Sequence, residues 1–195
     1  MDVPSRELWP IHEAFYIQSM LFNSLSAVRS INRLNVVFDK LPPEPTLEDI
    51  DNLPTKLILN ELQNMVLQGA ALSRYFWPVR KGHEARALTL RAAFSIGETS
   101  PLFSRHLRNA LEHFDERLDD YLASGIVGYV FPEFVGLRPE EDDVPGHFFR
   151  AYFLDQDVFR LLDEEFVIDP LTDELLSIHR QLTAMDANGG RLQSA

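Results

Sequence analysis

Arg108, Asn109 and His113, in the segment LRNALEH, form the one set of neighbouring residues in this chain that points to chemistry. An imidazole titrates near neutral pH and can give or take a proton, and a guanidinium carries a permanent charge in a fork that fits phosphate. At about 100° per residue, Leu107, Leu111 and Leu118 make an apolar helix stripe, with Arg105, Asn109, Glu112 and Glu116 opposite it. Arg108 and His113 flank that polar face about 140° apart. Two such helices meeting across a two-fold axis would bring each His toward the other copy's Arg over a shared groove. The residues equally fit a solvated face. Arg108 and Glu112 are spaced for an ordinary i, i+4 ion pair, and Asp115 and Asp119 surround the site.

The element that must carry these residues is the clearest helix in the sequence. Phe103, Leu107, Leu111, Phe114, Leu118 and Tyr121 repeat at fours and threes between Pro101 and Gly125, so the helix is expected over 101–124, packed against other helices. Three more are expected, over 10–38, 54–76 and 84–96, with Gly97 as the cap of the third. The proline- and acid-rich stretch 41–54 reads as a stiff loop with one short turn after Thr46. The fold expected is mainly α: an antiparallel four-helix-type bundle over 1–125. Residues 126–195 form an appendage, with a small β-hairpin near 147–167, a short helix over 170–185 and a disordered tail, DANGGRLQSA.

LRNALEHFDERLDDY resembles the motif helix of HEPN-domain proteins, in which Arg, commonly followed by a polar residue, precedes His by four to six positions. Arg108, Asn109 and His113 match those places, and the surrounding residues are similar to a bacterial subgroup of HEPN-like proteins. The resemblance covers 10–124. It departs from many HEPN toxins at Asp115, where they carry Tyr. It implies a metal-independent endoribonuclease, a toxin or defence effector that cleaves single-stranded RNA to a 2′,3′-cyclic phosphate and a 5′-hydroxyl. His113 would exchange protons with the ribose 2′-hydroxyl or the leaving oxygen, Arg108 would stabilise the phosphate, and Asn109 would orient either. The implied partners are RNA, a second copy of the chain and an antitoxin or regulatory protein, with no cofactor. A catalytically inactive HEPN-like dimeric scaffold or regulatory module fits the same motif.

Composition narrows these readings. The chain has 195 residues, no cysteine and a net charge of −12. Thiolate chemistry and sulfur-ligated metals are therefore excluded, and a reducing compartment fits. The acidity is concentrated after Pro101. Between Arg74 and Arg108, by contrast, Arg74, Arg80, Lys81, Arg86, Arg91, Arg105 and Arg108 face only Glu84 and Glu98. Arg86, Arg91 and Arg105 are accordingly the expected RNA-binding residues. Tyr75, Phe76 and Trp77 suit a core better than base stacking; His83 and His106, near the basic stretch, could help to bind phosphate but fit exposed helix positions better, and His147 and His179 receive no role. No metal site is expected, because His12 and His113 adjoin Glu13 and Glu112, whose side chains diverge by about 100° around a helix. There is no GxxxxGK[ST], GxSxG or HExxH. The opening MDVPSRELWP lacks the basic start and apolar run of a secretory signal, and no apolar window reaches the roughly 20 residues of a membrane span. A cytoplasmic protein is expected.

Overall fold

The computed structural model describes residues 8–104, 106, 114–140 and 144–193. Pro10–His12 form a 3-10 turn that leads into α1 (Glu13–Phe38). A capping box in which Thr46 and Asp49 satisfy each other's backbone N–H groups starts the short α2 (Leu47–Asp51). α3 (Thr55–Phe76) follows Pro54, which suits a helix start because it lacks the N–H that would go unpaired there. α4 (Glu84–Phe94) ends two residues earlier than Gly97 suggests. Ser95 takes the left-handed conformation at φ 53°, and the Ile96 N–H donates to the Arg91 carbonyl at 3.0 Å. That is the closure a C-terminal glycine usually provides.

The expected helix over 101–124 is not continuous. Pro101–Phe103 form a 3-10 turn, and Ser104 is extended at ψ 130°. Helix α5 spans Phe114–Ala123 and buries none of its residues fully. Its stripe rests on side chains of a sheet instead of on other helices: Tyr121 meets the rings of His147 and Phe149, and the Arg150 guanidinium lies over the Phe114 ring. Amphipathic period alone does not say what the apolar stripe will face.

The four-helix-type bundle with a small hairpin is corrected accordingly. Strands β1 (Tyr129–Gly136), β2 (Gly146–Phe153), β3 (Val158–Leu161) and β4 (Glu164–Val167) form one mixed sheet in that order. β1 and β2 run parallel, Tyr129 beside Gly146 and Gly136 beside Phe153, and the remaining pairs are antiparallel. Parallel neighbours normally need a crossover of a dozen or more residues, and 137–145 is shorter, so local pattern offers no reason to pair them. The β3–β4 turn carries no glycine. Leu162 adopts φ 55° there with its side chain fully buried, so apolar burial offsets the left-handed backbone.

Helix α6 (Ile168–Ala187) closes the helical layer, with α1 packed against both α3 and α6. Ile17, Met20, Ala27, Ile31 and Leu34 of α1 meet Ile58, Leu62, Met65 and Leu72 of α3 and Leu171, Leu175, Ile178 and Leu182 of α6. Tyr152, Phe159, Leu161 and Phe166 join this core from one sheet face. One apolar core thus takes side chains from both sides of residue 125. The opposite sheet face carries a second cluster, Phe131, Phe134, Phe148, Ala151, Phe153 and Val158.

The tail expected to be disordered is docked as far as it is described. Arg191 and the Leu192 N–H both reach the Glu13 carboxylate at 2.8 Å, and Gly190 lies so close to Ala14 that an added Cβ would stand 2.8 Å from it. No helix among the described residues is long and apolar enough to cross a membrane.

Candidate functional site

Arg108, Asn109, His113 and Arg105 lie outside the described residues. Their flanks are described. On one side, His106 Nδ1 lies 3.5 Å from Glu164; on the other, Arg117 reaches Asp163 at 2.8 Å and Glu164 at 3.3 Å. Both flanks are therefore tied to the β3–β4 turn. One turn further along α5, the Tyr121 hydroxyl bonds to His147 Nδ1 at 2.9 Å, while His147 Nε2 lies 3.1 Å from the Val127 carbonyl. The carbonyl can only accept, so Nε2 carries the proton and Nδ1 accepts from Tyr121. Partial burial pushes the Tyr121 phenol up, with the Asp163 charge adding to it against Arg160. The solvent side of α5 carries exposed Asp115, Glu116, Asp119 and Asp120.

The two expected RNA-binding arginines that are described are engaged in structure. Arg86 donates to the Arg74 carbonyl at 3.2 Å and lies over the rings of Tyr16 and Tyr75. Arg91 donates to the Phe76 carbonyl at 3.3 Å and lies over Trp77. Both supply positive charge and donors to the last carbonyls of α3, where a helix end leaves acceptors unpaired. Phe76 and Trp77 are buried core residues. Among the described residues no three His, Asp or Glu side chains gather as metal ligands.

The surface that sequence reasoning missed lies on α1. Reading along 10–38 as one amphipathic repeat merges two stripes. Met20, Ile31 and Leu34 face the core, whereas Phe15, Phe22 and Leu25 face outward. Continued back to Ile11 in the preceding 3-10 turn, the outward set follows a heptad of its own: Ile11, Phe15, Gln18, Phe22, Leu25, Arg29, Asn32 and Val36, every one exposed. Phe15 is 74% exposed, Phe22 79% and Val36 58%. Their centre lies roughly 160° around the helix from the buried stripe, at about 100° per residue. The signal was available in the sequence, since positions 15, 22, 29 and 36 and positions 11, 18, 25 and 32 each repeat every seven residues.

On the far sheet face, the phenylalanine cluster floors a cavity of about 450 Å³ walled by Tyr129, Arg138, Pro145 and Arg160. The Arg138 guanidinium lies 4.1 Å from the Phe153 ring centre and reaches Glu165 at 3.0 Å. Arg160 lies 3.7 Å from the same Glu165. Both arginines share one carboxylate, and Glu140, which also lines the cavity, supplies a second negative charge.

No protein-family model, curated protein or solved structure matches this chain, so the functional reading rests on its own residues. The fold defines a two-layer α+β protein: a helical layer of α1, α3 and α6 on one face of a mixed sheet, with an apolar helix stripe turned to solvent.

Proposed function

We propose that this chain is a cytoplasmic, self-assembling interaction module, a scaffold whose docking surface is the outer face of α1 and whose first partner is a second copy of itself. The observation that carries this reading is the outward stripe around Phe15 and Phe22. Soluble monomers seldom line several large apolar side chains along one helix face turned to water, as Phe15, Phe22 and Leu25 are here. Fully burying one such side chain contributes about 1.5–3 kcal/mol, and a micromolar dimer needs about 8 kcal/mol of net binding free energy. Several stripe residues together reach that scale. The face expected to dimerise from the sequence, the fourth helix, is a poorer candidate, because two copies of Asp115, Glu116, Asp119 and Asp120 would repel each other. Sedimentation velocity at ten micromolar is the test: the wild type runs as a dimer and Phe22→Glu as a folded monomer. A monomeric wild type rejects the reading.

A HEPN-type metal-independent ribonuclease is the second reading. It rests on the resemblance of LRNALEHFDERLDDY to the HEPN motif helix. Arg108, Asn109 and His113 keep the roles the resemblance implies. Cleavage of labelled single-stranded RNA in excess EDTA, lost in both His113→Ala and Arg108→Ala, supports it. Absence of cleavage by the wild type leaves the scaffold alone.

A further inference from the structure

The outer face of α1 also carries information about how two copies would meet. Along its heptad, apolar and polar positions alternate in blocks: Ile11 and Phe15, then Gln18, then Phe22 and Leu25, then Arg29 and Asn32, then Val36. Gln18 donates to Asp186 of α6, so a carboxylate stands beside the stripe at that level. Arg29 is exposed and makes no ion pair or hydrogen bond among the described residues.

We infer that two copies of the chain pack antiparallel through α1, with Phe22 against Leu25 of the partner subunit, Ile11 against Val36 of the partner subunit, and Arg29 against the Gln18 and Asp186 pair of the partner subunit. This rests on the scaffold reading above and specifies its geometry. The contact is isologous, as a two-fold axis requires, so each of these meetings occurs twice. Apolar meets apolar at the centre and at both ends, and the one cation on the stripe meets a carboxylate. Only Phe15 faces a polar side chain, Asn32 of the partner subunit.

Other alignments are worse. A parallel pair sets Arg29 against Arg29 of the partner subunit, placing two like charges together in a contact that excludes water. Sliding the antiparallel pair by one heptad in one direction sets Ile11 against Arg29 of the partner subunit and Phe22 against Gln18 of the partner subunit. Sliding it in the other sets Leu25 against Arg29 of the partner subunit and Phe22 against Asn32 of the partner subunit. Polar residues at seam positions fix register in this way because each mispairing strands a polar group against an apolar one. The area is adequate as well. Two phenylalanines with most of their surface exposed bring roughly 300 Å² to the contact, from the about 150–250 Å² an aromatic side chain buries. A stable interface needs roughly 800 Å² from each partner, and six further seam positions supply the remainder.

The chain contains no cysteine, so engineered disulfides report the register without background. A variant carrying both Phe15→Cys and Asn32→Cys, which keeps Arg29 and Gln18, is oxidised at ten micromolar, beside each single variant, and the products are separated on a non-reducing gel. The expected result is a covalent dimer from the double variant and none from the singles, because positions 15 and 15, or 32 and 32, are then about 25 Å apart at 1.5 Å per residue. Covalent dimers from the single variants would show a parallel pair and overturn the register. No covalent dimer from the double variant, while the wild type still sediments as a dimer, would also overturn the register and leave the scaffold reading standing. A monomeric wild type would sink both. As a check independent of the cysteines, Arg29→Asp sets like charges against Asp186 of the partner subunit and is expected to weaken association at least tenfold with the helical circular dichroism unchanged; unchanged affinity would count against the register.

Discussion

Inside the contact between α1 and α3, the Ser30 hydroxyl donates to the Glu61 carboxylate, and both residues are buried. Arg33 donates to the other Glu61 oxygen at 2.9 Å, and Asn64 donates to the Ser30 oxygen at 2.8 Å. The polar interruptions in the α3 pattern are therefore where the two helices are keyed together. Removing the acceptor leaves the buried Ser30 O–H with nothing to donate to, although Asn64 still donates to its oxygen, so Glu61→Ala is expected to cost about 1–3 kcal/mol in urea unfolding. Glu61→Gln keeps an acceptor oxygen for Ser30 and costs less. Equal losses in the two variants would mean that Glu61 contributes through its charge beside Arg33 and not through the hydrogen bond to Ser30.

The tail tests a different kind of tie. Partial burial alone would push the Glu13 carboxyl up, but the Arg191 hydrogen bond, the Leu192 N–H and the Arg191 charge together hold it below its ordinary value. A depressed carboxyl contributes stability that is present above the unfolded pKa, about 4.3, and lost as pH falls through the folded value. Arg191→Ala is expected to shrink that acid-side loss, to lower the stability at neutral pH by the same small amount, and to speed amide exchange at Gly190 and Leu192. Unchanged exchange at Leu192 would show that the tail docks without the ion pair.

Helix positions were legible because their physics is local. α1, α3 and α4 fall where three- and four-residue spacing, Pro54 and the Trp77-Pro78 break place them. What escaped depends on partners far away in the chain. Nothing in the local pattern YVFPEFVG tells β1 to run parallel to β2, and Leu162 takes the left-handed turn position where a glycine would announce it. On the functional side, Arg86 and Arg91 read as free cations because their acceptors, the carbonyls of Arg74 and Phe76, are backbone atoms invisible to composition. The outward stripe of α1 was visible but was absorbed into the core pattern, since both faces of that helix carry apolar residues.

His179 makes a pH prediction. Its Nδ1 lies 3.0 Å from the fully buried Ser24 hydroxyl, between α1 and α6, and burial lowers its pKa below the ordinary histidine value. The unfolded chain then binds the proton more readily, so stability falls as pH drops below about 6.5 and keeps falling until the folded value is passed. His179→Asn should flatten the stability profile between pH 7 and the range where carboxylates begin to titrate. A slope there identical to wild type would assign it to other groups.

Asp157 joins the sheet to α6 and gives the most discriminating set of variants. It stands in the β2–β3 turn at φ 52°, accepts from the Tyr152 hydroxyl at 2.7 Å and accepts from the Asp169 N–H at 2.6 Å. Burial and this carboxylate hold the Tyr152 phenol far above the tyrosine range. Asp157→Ala removes the cap, about 0.5–2 kcal/mol, leaves the Tyr152 hydroxyl unpaired, about 1–3 kcal/mol, and places alanine in a left-handed conformation, about 1–2 kcal/mol. Asp157→Asn tolerates the backbone and keeps one acceptor, so its cost should be well under half as large. The two variants agree on charge, however. The Asp157 charge raises the Asp169 carboxyl above its ordinary value, so the folded state binds that proton more readily than the unfolded chain and is favoured as pH falls through the raised value. Both variants remove the charge and should return the Asp169 titration, followed by NMR, toward about 3.9. An unshifted Asp169 in Asp157→Asn would mean that its surroundings in α6, not the turn, set its proton affinity.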